Sequence, residues 1–164
     1  MFEGAKYHAT WRVDLEAGAT WVGWDILRLG RTARGEKFFH GEVRSQLAVY
    51  QGDRLVWIDP QQLTGSETTW YSPHALGQCP VIATFAWIGQ QPPKTLVEAA
   101  RTHWAQQPHP QGSAGVTRLQ SGLLCRYRGY STEAARRWFC AVWNEIRPHY
   151  HSGQSSVFPR VWQR

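Results

Sequence analysis

Residues 19–29 carry apolar side chains on both faces of an extended strand: Trp21 and Leu27 lie on one side, Val22, Trp24 and Ile26 on the other. Successive strand residues point to opposite faces, so a strand of this kind requires a covering layer on each side. The rest of the chain supplies material for such layers. Residues 7–15 alternate, with Tyr7, Ala9, Trp11, Val13 and Leu15 on one face. Glu16-Ala17-Gly18 reads as a turn. Residues 37–50 form a long strand, Gly52-Asp53 is a hairpin signal, and residues 54–59 run back. Residues 64–77 are polar and loop-like. Residues 81–88 are a further strand, closed by Gly89 and Pro92-Pro93. Residues 106–115 hold two prolines and two glycines and read as a loop, and 117–129 read as strands broken at Gly122.

Two segments have helical spacing. Thr95 is positioned to cap a helix in which Leu96, Val97, Ala100 and Trp104 share a face. Near the C-terminus Ser131 is an N-cap and Glu133 complements the helix dipole. There Trp138, Phe139, Val142, Trp143 and Ile146 make an apolar stripe, and Pro148 stops the helix. The expected fold is mainly β, in layered and mostly antiparallel sheets, with about two α-helices, the longer one near the C-terminus. No linker or repeat divides the chain, so residues 1–164 read as a single domain.

The net charge of +6 allows an acidic partner, but the basic residues are not clustered. Three cysteines, Cys79, Cys125 and Cys140, are widely spaced and odd in number, which fits a reducing cytoplasm better than a disulfide framework. No apolar run reaches the roughly 20 residues of a membrane span, and residues 1–4 do not begin a signal peptide. Zinc patterns, a P-loop and a nucleophile elbow are all missing. Ten tryptophans are spread from Trp11 to Trp162. They serve as core anchors or as a stacking platform for bases or sugars.

The densest chemistry lies in Gly30-Arg31-Thr32-Ala33-Arg34-Gly35-Glu36, which packs two glycines, two guanidinium groups and a carboxylate into seven residues. Arginine presents a planar fork of donors that matches a carboxylate. Such a turn either binds an anion, pairs internally, or presents charge to a partner, and the sequence leaves these open. On residues alone the chain is a binding domain rather than a catalyst.

Several motifs, in order along the chain, resemble the UreD (UreH) family of urease accessory proteins. Phe2-Glu3-Gly4-Ala5 resembles its Phe-x-Gly-Ala segment, and Gly23-Trp24-Asp25 followed by Gly30-Arg31-x-Ala33-x-Gly35-Glu36 resembles its central motif. Gly41, Gly115-x-x-Arg118-Leu119 and Leu123-Leu124-x-Arg126-Tyr127-x-Gly129 are similar to later strands. Phe139, Trp143, Ile146-Arg147-Pro148 and Pro159-Arg160-x-Trp162 resemble the last helix and terminus. The resemblance is to a C-terminal portion: members of the family carry a long N-terminal β region before the Phe-x-Gly-Ala segment. The expectation is therefore a piece with unpaired strand edges and exposed apolar faces.

The resemblance implies a largely β fold and a cytoplasmic scaffold, not an enzyme. The implied partners are apo-urease and accessory proteins F and G. Nickel passes transiently, with no cofactor held tightly and no membrane involved. On that reading Glu36 is the first candidate for lining the nickel route, with Arg31 and Arg34 orienting it. Asp25, His40 and Asp59 follow, by chemistry and proximity in sequence. Trp138, Trp143, Arg160 and Trp162 are candidates for partner contact, with the core as the competing reading for the helix face. The alternatives are a nucleic-acid-binding β module, whose weakness is that basic and aromatic residues do not interleave, and a carbohydrate-binding β-sandwich.

Overall fold

A computed structural model describes residues 1–108 and 112–149. Among the described residues, seven strands and three α-helices follow one another as β1 (Lys6–Leu15), β2 (Trp21–Arg28), β3 (Glu42–Gln51), β4 (Arg54–Thr64), α1 (Glu67–Tyr71), β5 (Val81–Ile88), α2 (Lys94–Ala105), β6 (Gly112–Leu119), β7 (Gly122–Gly129) and α3 (Thr132–Ile146). They build two sheets. The first has the order β1-β3-β4 and the second β2-β5-β7-β6. Every pairing is antiparallel except β1 with β3, which run parallel with Lys6 opposite Glu42.

The layered expectation is met by the second sheet, which lies between the first sheet and the helices α2 and α3. On β5 and β7, Val81, Ala83, Phe85, Trp87, Leu123, Cys125 and Tyr127 pack with Leu96, Val97, Ala100, Trp138, Phe139, Val142 and Ile146 of the helices. The alternate residues Ala86 and Ile88 face the other way, into a cluster with Leu15 and Val49 of the first sheet. β5 is the middle of the molecule, which is why it has no polar face. β2 divides as its sequence indicates: Val22, Trp24 and Ile26 lie against the helix-side core, and Trp21 lies against the inter-sheet cluster.

Several boundaries depart from the sequence reading, β4 among them, which runs past the expected residue 59 to Thr64. Residues 37–41 are not strand. Phe38 turns fully inward, and Phe39 meets Trp70 edge-on at 6.2 Å, so this stretch plugs one end of the sandwich. The polar stretch 64–77 contains the one-turn helix α1, nucleated by the Ser66 hydroxyl, which accepts the Thr69 N–H at 3.0 Å. Five residues are too few to show a helical stripe. Helix α2 begins at Lys94, because the Pro93 carbonyl accepts the Leu96 N–H; Thr95 is already inside the first turn. Residues 112–115, expected as loop, pair with 126–129 of β7, a ladder made by backbone alone.

Candidate functional site

The charged heptapeptide closes on itself and on the first residues of the chain. Gly30 adopts φ +78°, and a Cβ there would stand 2.7 Å from the Glu36 carbonyl oxygen, so the tight return needs glycine. Glu36 then reaches back. Its Oε2 accepts from Arg31 Nε at 2.7 Å and pairs with Nη2 at 2.6 Å. Its Oε1 accepts the backbone N–H of Glu3 at 2.9 Å and that of Arg31 at 3.2 Å. The Arg31 guanidinium, followed by the Glu3 N–H, drives the Glu36 carboxyl down to about 2. Arg31 also lies over the Phe2 ring at 5.1 Å. Of the readings left open, internal pairing describes this turn: it clasps residues 1–5 against the body of the protein. His40 joins its rim, 3.0 Å from Glu3 Oε1, and is largely exposed. Arg34 is exposed, at the end of a short 3-10 turn.

Asp25 and Asp59 lie elsewhere and are brought together. Between the exposed edges of β1 and β2 the two sheets part, leaving an open cleft of about 310 Å³. Tyr7, Trp11, Trp21 and Trp57 line its walls, with Asp25 and Asp59 among them. Trp11 is on the alternating inner face of β1 yet 61% exposed, at the open mouth of the cleft. A Cβ at Gly23 would meet the Trp21 ring at 2.2 Å, so a side chain there would displace that ring from the cleft wall. Asp25 opens to solvent on the cleft side. The protein around it still raises its pKa by desolvation, partly offset by the adjacent backbone N–H of Ile26.

Asp59 is deeper, 7% exposed, and its oxygens are committed. Arg126 of β7 donates to Oδ1 and Gln61 to Oδ2, the latter at 2.8 Å. Gln61 and the Arg126 Nη1 each donate to the Thr84 hydroxyl at 3.2 Å. This closed polar group crosses from the first sheet to the second, and satisfies a charge that would otherwise be costly to bury. Arg126, Thr84 and Gln61 were not reached from sequence. They come from three strands, and only the position of Arg126 within a family motif could have pointed to one of them.

The tryptophans of α3 divide. Trp138 is 1% exposed, and its indole N–H donates to the Ala100 carbonyl at 2.8 Å, so it is core and offers no surface to a partner. Trp143 is half-buried against the same core. Arg160 and Trp162 lie outside the described residues. Among the described residues no three His, Cys, Asp or Glu side chains cluster as a metal site, and no helix is long and apolar enough to cross a membrane.

Comparison with known proteins places this geometry in a lineage. A family model described as the UreD urease accessory protein matches residues 1–163. A protein of Acaryochloris marina named urease accessory protein UreD is 46% identical over 163 residues, covering 99% of this chain and 56% of the relative. Proteins of the same name from Nostoc punctiforme and Thermosynechococcus vestitus are 44% and 38% identical, with 57% and 59% of their lengths covered. The chain spans little more than half the length of these relatives.

Proposed function

This chain belongs to the UreD urease accessory protein family, and we propose that it serves urease maturation as a scaffold, without catalytic chemistry of its own. In this reading it binds apo-urease together with accessory proteins F and G while nickel, the cargo, is delivered. The observation that carries the reading is the family match across residues 1–163.

The inter-sheet cleft is the part of the chain best suited to meet a passing cation. Asp25 presents carboxylate oxygens to it, and among the described residues no side chain donates to them. One carboxylate and solvent hold a divalent ion loosely, which suits transfer rather than storage. Glu36 is less suited, because both of its oxygens face donors and a guanidinium lies against it. Asp59 is occupied by Arg126 and Gln61. Nickel-route lining is accordingly assigned to Asp25 ahead of Glu36, His40 and Asp59, with Arg31 and Arg34 shaping the clasp.

The test is co-expression with apo-urease and accessory proteins F and G, together with a polypeptide supplying the part of a relative that this chain does not match. The expected result is a co-purifying complex that supports nickel-dependent urease activation. Asp25→Asn should lower that activation several-fold and leave the complex intact. A folded chain that joins no complex would overturn the maturation reading. Full activation by Asp25→Asn would remove the cleft from the nickel route alone.

A further inference from the structure

We propose that the end of the sandwich formed by the charged turn, α1 and the β7–α3 junction is a docking surface for an acidic segment of a partner protein. This end lies across the length of the strands from the Gly52-Asp53 hairpin, and it shares no lining residue with the inter-sheet cleft.

Its rim is closed by bonds between segments far apart in the chain. The Arg28 guanidinium, at the end of β2, donates to the Thr32 hydroxyl at 2.8 Å and to the Tyr130 carbonyl at 2.9 Å. Arg128, two residues before Tyr130, donates to the Pro73 carbonyl at 2.7 Å and to that of Ala75. The loop carrying those carbonyls leaves α1, whose Thr68 carbonyl accepts the Ser72 N–H. Tyr71 of α1 returns the circuit to the turn, since its hydroxyl accepts from Lys37 Nζ at 2.8 Å. Leu29, Phe38, Trp70 and Leu76 fill the space beneath. A surface fixed in this way has little conformational freedom to lose when a partner arrives.

The same bonds decide the charge. Residues 28–37, 67–79 and 128–131 hold five Lys and Arg against two Glu, so the fold gathers at one end cations that lie far apart in sequence. Arg28, Arg128 and Lys37 are held by hydroxyls and backbone carbonyls, which fix their positions without neutralising them. Arg31 faces the Glu36 carboxylate, and Arg34 is exposed and enters no ion pair among the described residues. Tyr71 and Tyr130 stand among these cations, each 47% exposed. Tyrosine beside arginine is the composition of interface anchors, and a guanidinium fork matches a carboxylate. Nucleic acid fits less well. Lys37 Nζ lies over the Tyr71 ring at 5.2 Å and Phe39 crowds it at 6.1 Å, so that ring is no bare platform for a base. Gathered positive charge also repels a divalent cation, which separates this surface from the route assigned to Asp25. The inference rests on the maturation reading for the identity of the partner, and adds the surface that meets it.

The test measures binding rather than urease activation. This chain, with the supplementary polypeptide of the co-expression above, is immobilised. Apo-urease and accessory proteins F and G are passed over it separately at about 50 and 500 mM salt. The expected result is that at least one binds, and at least tenfold more weakly at the higher salt. Arg34→Glu should weaken that binding at least fivefold at the lower salt and flatten its salt dependence. Arg54→Glu, the same charge reversal at the far end of the strands, should change it less than twofold. Tyr130→Ala leaves the Arg28 bond to the backbone carbonyl in place and should also weaken binding at least fivefold. Binding that ignores both Arg34→Glu and Tyr130→Ala would overturn this inference and leave the maturation reading standing. Binding by none of the three proteins would overturn both. Capture of a single-stranded oligothymidylate with the same sensitivity to Arg34→Glu would assign the surface to nucleic acid and refute the acidic-protein reading.

Discussion

Glu36 shows what a single carboxylate does when its donors come from two ends of a loop. Its pKa in the folded protein lies near 2, below the ordinary 4.5, so the folded state binds this proton more weakly than the unfolded state. The resulting stabilisation is complete above about pH 4.5 and is lost as the pH falls toward 2. Glu36→Gln should therefore be less stable than wild type at pH 7, and the difference should shrink toward zero near pH 2. Urea melts at pH 7, 4 and 2.5 check this; a difference that does not change with pH would show that the charge is irrelevant to the clasp. Gly30→Ala places a side chain at φ +78° and should cost at least the 1–2 kcal/mol, roughly, of a left-handed residue. Arg126→Ala strands the Asp59 carboxylate between the sheets. A fully buried broken pair costs about 3–5 kcal/mol, and water can reach the half-exposed Arg126 position, so the loss should be nearer 2 kcal/mol. A double-mutant cycle with Asp59→Asn measures it. The two sites differed in legibility for a physical reason. Arg31 and Glu36 are five residues apart and oppositely charged, so their pairing could be read as one of three options. Arg126 and Asp59 are separated by 67 residues and belong to different sheets, and no local pattern encodes such a meeting.

At the scale of elements, legibility followed periodicity and length. α3 has 15 residues, a side-chain cap and a stripe that buries Trp138, Phe139, Val142 and Ile146, and each of these signals is local. The Ser131 hydroxyl accepts the Ala134 N–H at 3.1 Å. Ser131→Ala should destabilise the protein by about 1 kcal/mol, read as a drop in thermal midpoint with the folded far-ultraviolet spectrum unchanged. A shift no larger than that of an exposed surface substitution would mean the cap is redundant. β5 was equally plain, because a strand in the middle layer has no polar face to disguise it. β6 and α1 were not. β6 is Gly112-Ser113-Ala114-Gly115 at its start, a stretch whose strand state comes from the β7 ladder and not from its own side chains. α1 is one turn held by a cap, and residues 37–41 read as strand although Phe38 and Phe39 were plugging the end of the sandwich. Edges and plugs take their conformation from what lies beside them, and a sequence read alone does not say what that is.

For the molecule as a whole, three layers imply a gradient of protection, and the cysteines sample it. Cys125 lies on β7 in the middle sheet, with no accessible surface, and burial pushes its thiol up to about 12. Cys140 sits on α3 in the helical layer, also buried, with its thiol raised by desolvation and only partly relieved by Arg136. Cys79, in the turn before β5, is buried too but the least so of the three, at 8% exposure, with its Sγ donating to the Gly77 carbonyl at 3.6 Å. A thiol reacts as its thiolate and only where reagent reaches it, so the native protein at pH 8 should label at Cys79 first. Labelling of Cys125 requires separation of the second sheet from the layers on both sides of it. That step should coincide with global unfolding, because the middle layer cannot open without losing both interfaces. Mass-spectrometric labelling across a urea series is the measurement. The modified fraction at Cys125 should superimpose on the loss of tertiary signal, with Cys79 modified at lower urea. Reaction at Cys125 before that transition would mean that the sheets separate locally. The open cleft between β1 and β2 would then be the place where the sandwich begins to come apart.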